Sequence, residues 1–216
     1  MQVPLITRRT LATMLAVAAL AAGCGTTPPR IDTYTEIPVG AVTTYWRKSS
    51  GSYGTTDGPV VWTFGLVKWG EQTLEEHASK QAGTQMYTPG SRALVAVLNP
   101  AGQLVQSFDP PMGYRMPLVL GSQWTSKHNV TLYPSGRVVP VDVDWKVEAW
   151  ENVKVPAGTF RAFRVSATNS LGETETLWTA PELGLGIVKR HTVRPASHPQ
   201  GEGVLHGEMV SRTFPP

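Results

Sequence analysis

Two pairs of carboxylates stand two residues apart in this chain, Asp142 with Asp144 and Glu173 with Glu175. On an extended strand that spacing puts both members of a pair on one face, at a separation compatible with acid and base work. Glycoside hydrolysis needs such a pair, usually supplied by different strands across a cleft. Asp142 and Asp144, however, share a polar row with Lys146 and Glu148, and the regular alternation predicts a solvated face. Five histidines raise the question of a metal, and His191, His198 and His206 fall late in the chain. Their spacing fits no short-range zinc pattern and no cysteine is at hand to complete one, so structural or surface roles are expected.

The nucleophile elbow G-x-S-x-G, the phosphate loop and the dinucleotide fingerprint are all absent, and Gly184-Leu185-Gly186 reads as a turn after Pro181. No catalytic residue, metal ligand or cofactor is assigned on this basis. An enzyme would need a constellation assembled in space.

The one residue with an explicit chemistry is Cys24, the only cysteine. It follows a basic leader containing Arg8 and Arg9 and an apolar run from Leu11 to Ala22, too short for the roughly 20 residues of a spanning helix. Ala21-Ala22-Gly23 before the cysteine resembles the lipobox of bacterial lipoproteins, in which the cysteine is acylated and becomes the first residue of the mature chain. A lipid thioether would also remove a lone thiol from an oxidising compartment. Residues 1–23 are therefore expected to be a lipoprotein signal peptide and Cys24 the lipid attachment site. Gly25, where an Asp would favour inner-membrane retention, leaves the outer membrane facing the periplasm as the expected location. Loss of the leader removes Arg8 and Arg9 from the 19 basic residues and none of the 16 acidic ones, so the mature chain is nearly neutral. With no basic stripe, nucleic acid is not expected as a partner.

Residues 24–39, with Thr26-Thr27-Pro28-Pro29, read as a tether. Residues 40–216 read as one β-rich domain, undivided or built of two packed halves meeting near 110–125. Val, Thr, Trp, Tyr and Phe dominate, punctuated by Gly and Pro. The clearest strand, "VVPVDVDWKVEAW" over residues 138–150, places Val139, Val141, Val143, Trp145, Val147 and Ala149 on one face. Asn99-Pro100-Ala101-Gly102 fits a hairpin turn with a bulge. Leu94 to Leu98 leaves neither face polar, predicting a strand covered on both sides. Thr73 to Gln81 could form one short helix, on the capping-box spacing of Thr73 and Glu76, or a polar strand. The expected class is all-β: an antiparallel meander forming a sandwich, a rolled sheet or an open barrel, with at most one short helix. Of the seven tryptophans, Trp150 falls out of phase with the apolar face, which predicts a bulge near Glu151 or an exposed patch. Phe160 is out of phase with Phe163, Val165 and Ala167, predicting a bulge near Arg161.

The stretches "NVKVPAGTFRAFRV" and "ETETLWTAPELGLGIVKR" resemble a group of bacterial lipoproteins and periplasmic proteins that share a domain without assigned activity. The resemblance covers residues 145–191, with Thr179 standing where the group usually has an aromatic residue. It implies a β-rich fold and lipoprotein status, and no reaction. The reading that follows is a lipid-anchored, non-enzymatic envelope protein, joined to the membrane through Cys24, that binds an apolar or envelope-derived ligand or serves as an assembly partner. The competing expectation is an envelope glycan hydrolase, recognisable by two carboxylates facing each other in a cleft.

Overall fold

The computed structural model describes residues 27–215; the leader and Cys24 lie outside the described residues. Twelve antiparallel strands follow one another in chain order: β1 Val42–Gly51, β2 Thr56–Trp69, β3 Gln72–Ser79, β4 Gly83–Thr88, β5 Ala93–Leu98, β6 Leu104–Met112, β7 Gln123–Leu132, β8 Arg137–Val155, β9 Gly158–Asn169, β10 Thr174–Ala180, β11 Gly186–Arg194 and β12 Gly203–Thr213. Each pairs with its predecessor, and β1 pairs with β12 from Val42↔Thr213 to Gly51↔Gly203, so the meander closes into a barrel. The expected all-β meander is present, and of the three architectures it allowed the chain adopts the barrel, closed by β1–β12 rather than open.

The candidate helix over Thr73–Gln81 is instead β3. Its ladder bonds to β2 and β4 override a capping-box spacing that is only local. The helical turn that does occur is a short 3-10 segment at Pro181–Leu183. Strands from both sides of residues 110–125 pair directly, β6 with β7, within the one barrel.

Alternation decides what faces in. Val141, Val143, Trp145 and Val147 of β8 are buried, together with Phe163, Val165 and Ala167 of β9. Burying each such large side chain contributes roughly 1.5–3 kcal/mol. The register shift that turns Trp150 inward lies between Val147 and Ala149, slightly before the expected place, and sets its ring 4.8 Å from Phe163. No shift occurs near Arg161. Phe160 pairs with Val153 on the opposite face, where the extended β8–β9 hairpin packs Val153, Val155 and Ala162 against Ala180, Val188 and Met209. Leu94–Leu98 has apolar contacts on both faces, with Leu94 and Val97 lining the cavity and Ala96 in a cluster with Leu74 and Met86 facing away, but of these residues only Ala96 is buried, so the expected cover on both sides is partial.

Because consecutive strands are antiparallel, the turns after odd-numbered strands gather at one end and those after even-numbered strands at the other. The second end is a floor. Across it runs the segment before β1, with Ile31 bridging Leu118 and Tyr34 buried beside Leu118 and Leu185. The described part of the expected tether is thus packed on the barrel, because Ile31, Tyr34 and Ile37 supply apolar surface that the floor buries. The segment entering β1 and the segment leaving β12 meet there as well: a Cβ on Gly40 would lie 3.7 Å from Pro215.

Candidate ligand cavity

The barrel encloses a cavity of about 470 Å³. Its lining includes Ser52, Tyr53, Ala82, Leu171, His198 and Gln200 from the turns after odd-numbered strands, whereas the floor turns contribute Arg92. The odd-strand end is therefore the mouth.

Two walls of different chemistry face each other. β2 and β5 to β8 present an apolar wall that includes Phe64, Val97, Phe108, Val130, Val141 and Trp145. Trp145 is fixed by a stack on Trp124, 5.7 Å between ring centres, and by donating its indole N–H to Ser126 Oγ at 3.0 Å. β1, β10 and β11 present a polar wall built on charges. The Asn169–Gly172 turn positions its first member, since Asn169 Oδ1 accepts from the backbone N–H of Leu171 and of Glu173. Glu173 accepts from Tyr53 Oη at 2.6 Å and is ion-paired with Arg194, which lies 4.1 Å over the Tyr53 ring. Two residues on, Glu175 meets Arg190 at 2.5 Å and accepts from Thr192 Oγ1 at 3.1 Å. Arg47 donates to Ser49 Oγ and to the Tyr53 carbonyl at 2.8 Å, and no ion pair with a carboxylate involves it among the described residues. Burial, then the neighbouring Arg190 charge, pushes the Arg47 guanidinium below its ordinary range. Burial, then Glu173, raises the Tyr53 phenol well above its own, so it stays a donor.

Asp142 and Asp144 lie outside the barrel as the alternation predicts, facing Lys127 at 3.5 Å and Thr125 Oγ1 at 2.6 Å. Glu173 and Glu175 are brought into the cavity, but side by side on one wall and each already engaged by an arginine. They are the only carboxylates among the described lining residues, so the opposed pair that glycan hydrolysis would require is not formed there. His191 and His206 stack at 4.1 Å across β11 and β12, His198 Nδ1 accepts from the Gln200 N–H in a mouth turn, and among the described residues no group of three metal-ligating side chains converges.

Sequence reasoning missed Tyr53, His77, Arg47, Arg92, Arg190 and Arg194. The available signal was the row Arg190-x-Thr192-x-Arg194, one strand along from Glu173-x-Glu175. Read alone it looks like a solvated face, and only the register β10↔β11 shows that the two rows answer each other.

Three solved structures resemble this chain. They are the hypothetical lipoprotein YmcC from Escherichia coli (11% identity, 81% of this chain and 85% of that one, TM-score 0.45), a protein described as exported with a YmcC-like fold from Bacteroides fragilis (11%, 85% and 100%, 0.48), and a protein described as a lipoprotein from Parabacteroides distasonis (9%, 85% and 99%, 0.41). No protein-family model and no curated protein matches the sequence.

Proposed function

We propose that the protein is a lipid-anchored, non-enzymatic envelope protein, held through Cys24 at the periplasmic face of the outer membrane, that binds an apolar, envelope-derived ligand inside its barrel. The observation that carries this reading is the cavity of about 470 Å³ with one continuous apolar wall and an open mouth. Its size lies within the roughly 300–1,000 Å³ of small-molecule sites. A merely structural barrel would fill this space with side chains. The outward rows support a water-facing barrel, since Lys127, Asp142, Asp144 and Lys48 occupy surface that a membrane-spanning barrel would make apolar. The leader and Cys24 support the anchor.

One experiment tests both parts. In the exporting host, the native chain is expected to incorporate labelled fatty acid and to sediment with membranes, and the Cys24→Ser chain to do neither. Native mass spectrometry of that released chain, purified without detergent, should show a retained amphiphile that is lost when Val97→Trp fills the apolar wall. Unchanged labelling would sink the anchor. An empty cavity that also fails to take up added amphiphile would sink the ligand reading and leave the assembly-partner role.

A further inference from the structure

Among the described residues, the deep end of the cavity carries a guanidinium with no ion-paired carboxylate and a buried polar atom with no hydrogen-bond partner. Arg92 sits in the turn between β4 and β5 with φ of 49°, a left-handed conformation that side chains rarely adopt and that recurs where function demands a particular orientation. That backbone sends the guanidinium into the barrel between two aromatic rings, 5.1 Å from the centre of Tyr34 and 5.8 Å from that of Tyr87. Its Nη1 reaches the carbonyl of Leu185 over a long 3.4 Å, and its charge also acts on the Tyr34 hydroxyl. Leu185 is the other non-glycine residue with positive φ among the described residues.

Beside the same Tyr87 ring, 4.5 Å between ring centres, lies His77, also 3.9 Å from Phe64 and close enough to feel the Arg92 charge. His77 is 5% exposed and lines the cavity, and its Nε2 has no hydrogen-bond partner. A buried polar atom left unpaired is costly, and natural proteins rarely leave one without a reason. Glu75 acts on Arg92 through space but makes no ion pair with it. A second guanidinium, Arg212, stands 5.5 Å over Phe64. Glu75 and Glu36 act on this end through space, but among the described residues neither guanidinium has an ion-paired carboxylate, and in a poorly hydrated place an unpaired cation favours an anion.

We propose that the cavity receives an anionic amphiphile head-first, its carboxylate or phosphate group held between Arg92 and His77 and its hydrocarbon tail laid along the wall of Val97, Phe108, Val130, Val141 and Trp145. This rests on the reading that the barrel is a ligand site. It adds the class of ligand and the direction in which it lies. Arg92 supplies charge-assisted hydrogen bonds, His77 Nε2 one more, and the aromatic rings keep water from competing. The mouth arginines are less suited to the role, since Arg190 and Arg194 are neutralised by Glu175 and Glu173.

The test compares ligands of equal chain length on the Cys24→Ser chain purified without detergent: laurate, dodecyl phosphate and dodecanol, followed by displacement of a fluorescent probe. Laurate and dodecyl phosphate are each expected to bind about tenfold or more tighter than dodecanol, the worth of a good charge-assisted contact. Which of the two binds tighter tells a free fatty acid from a phosphate-bearing lipid as the source. Arg92→Gln should lower laurate affinity about tenfold and leave dodecanol unchanged, whereas Arg47→Gln at the mouth should lower it less than Arg92→Gln does. Should Arg92→Gln fail to fold, the His77 imidazole resonances of the unsubstituted barrel decide: laurate must shift them and dodecanol must not. Equal binding of laurate and dodecanol, a larger loss of the preference in Arg47→Gln than in Arg92→Gln, or silent His77 resonances would overturn the head-group assignment while leaving the cavity a ligand site. Binding of none of the three would overturn both.

Discussion

Burial between Phe64 and Tyr87, and after it the charges of Arg92 and Arg212, hold the His77 imidazole neutral to well below its ordinary range. The sign of the resulting pH dependence follows from proton counting. As pH falls below about 6.5 the unfolded chain protonates this histidine and the folded chain does not, so folding stability declines with acidity. For one group the slope approaches but does not exceed about 1.4 kcal/mol per pH unit. His198 and His206 are lowered in the same direction by partial burial, and Glu75 is raised by burial, so that its contribution is lost as pH rises. Those groups remain in a His77→Gln chain, and subtracting one stability curve from the other isolates His77. Urea unfolding between about pH 7 and about pH 5 should show a shallower loss in His77→Gln. Parallel curves would mean that His77 takes up its proton inside the barrel.

At the scale of single elements, turn chemistry controls the strands it joins. Gly83 opens β4 with φ of 87°, and a Cβ there would stand 2.0 Å from the Leu98 carbonyl of β5. Gly83→Ala must either displace β5 or strain both strands, and a loss of about 2 kcal/mol or more is expected in the urea midpoint. A change below about 0.5 kcal/mol, the size of an ordinary surface substitution, would contradict the close packing of that hairpin. The elements legible in the sequence were those whose signals are local. The Asn99–Gly102 turn forms with Gly102 N–H donating to Asn99 O, and the alternation of residues 138–147 translates directly into β8. The signal failed for β3, where Thr73 and Glu76 mimic a helix start and the deciding partners lie in β2 and β4. It failed again for Phe160, whose packing partner is a neighbouring strand's outer face. The candidate site was least legible of all. An inward row of Arg190, Thr192 and Arg194 has the pattern of a water-facing strand, and only a barrel with room inside lets such a row turn inward.

For the molecule as a whole, what separates a barrel from a sandwich or a rolled sheet is one pairing, β1 with β12, between segments at opposite ends of the described chain. No local pattern announces it, because neither strand carries a residue type that closure requires. Once made, it gives every strand of the ring a partner on each side, and the edges left open include those of the β8–β9 hairpin, where residues 149–155 and 158–162 pair only with each other. It also brings the segment entering β1 beside the one leaving β12, where a Cβ on Gly40 would lie 3.7 Å from Pro215, and every mouth turn joins strands that would stay paired if cut. The barrel is therefore expected to tolerate circular permutation, with a flexible Gly-Ser linker joining residue 215 to residue 27, so that Ile31 and Tyr34 keep their places on the floor, and new termini opened in the exposed Asn99–Gly102 turn. Such a chain should unfold in a single cooperative transition and bind dodecanol as the parent does. Loss of cooperativity would show that the order in which the strands are made, and not only their final pairing, is needed to close the ring.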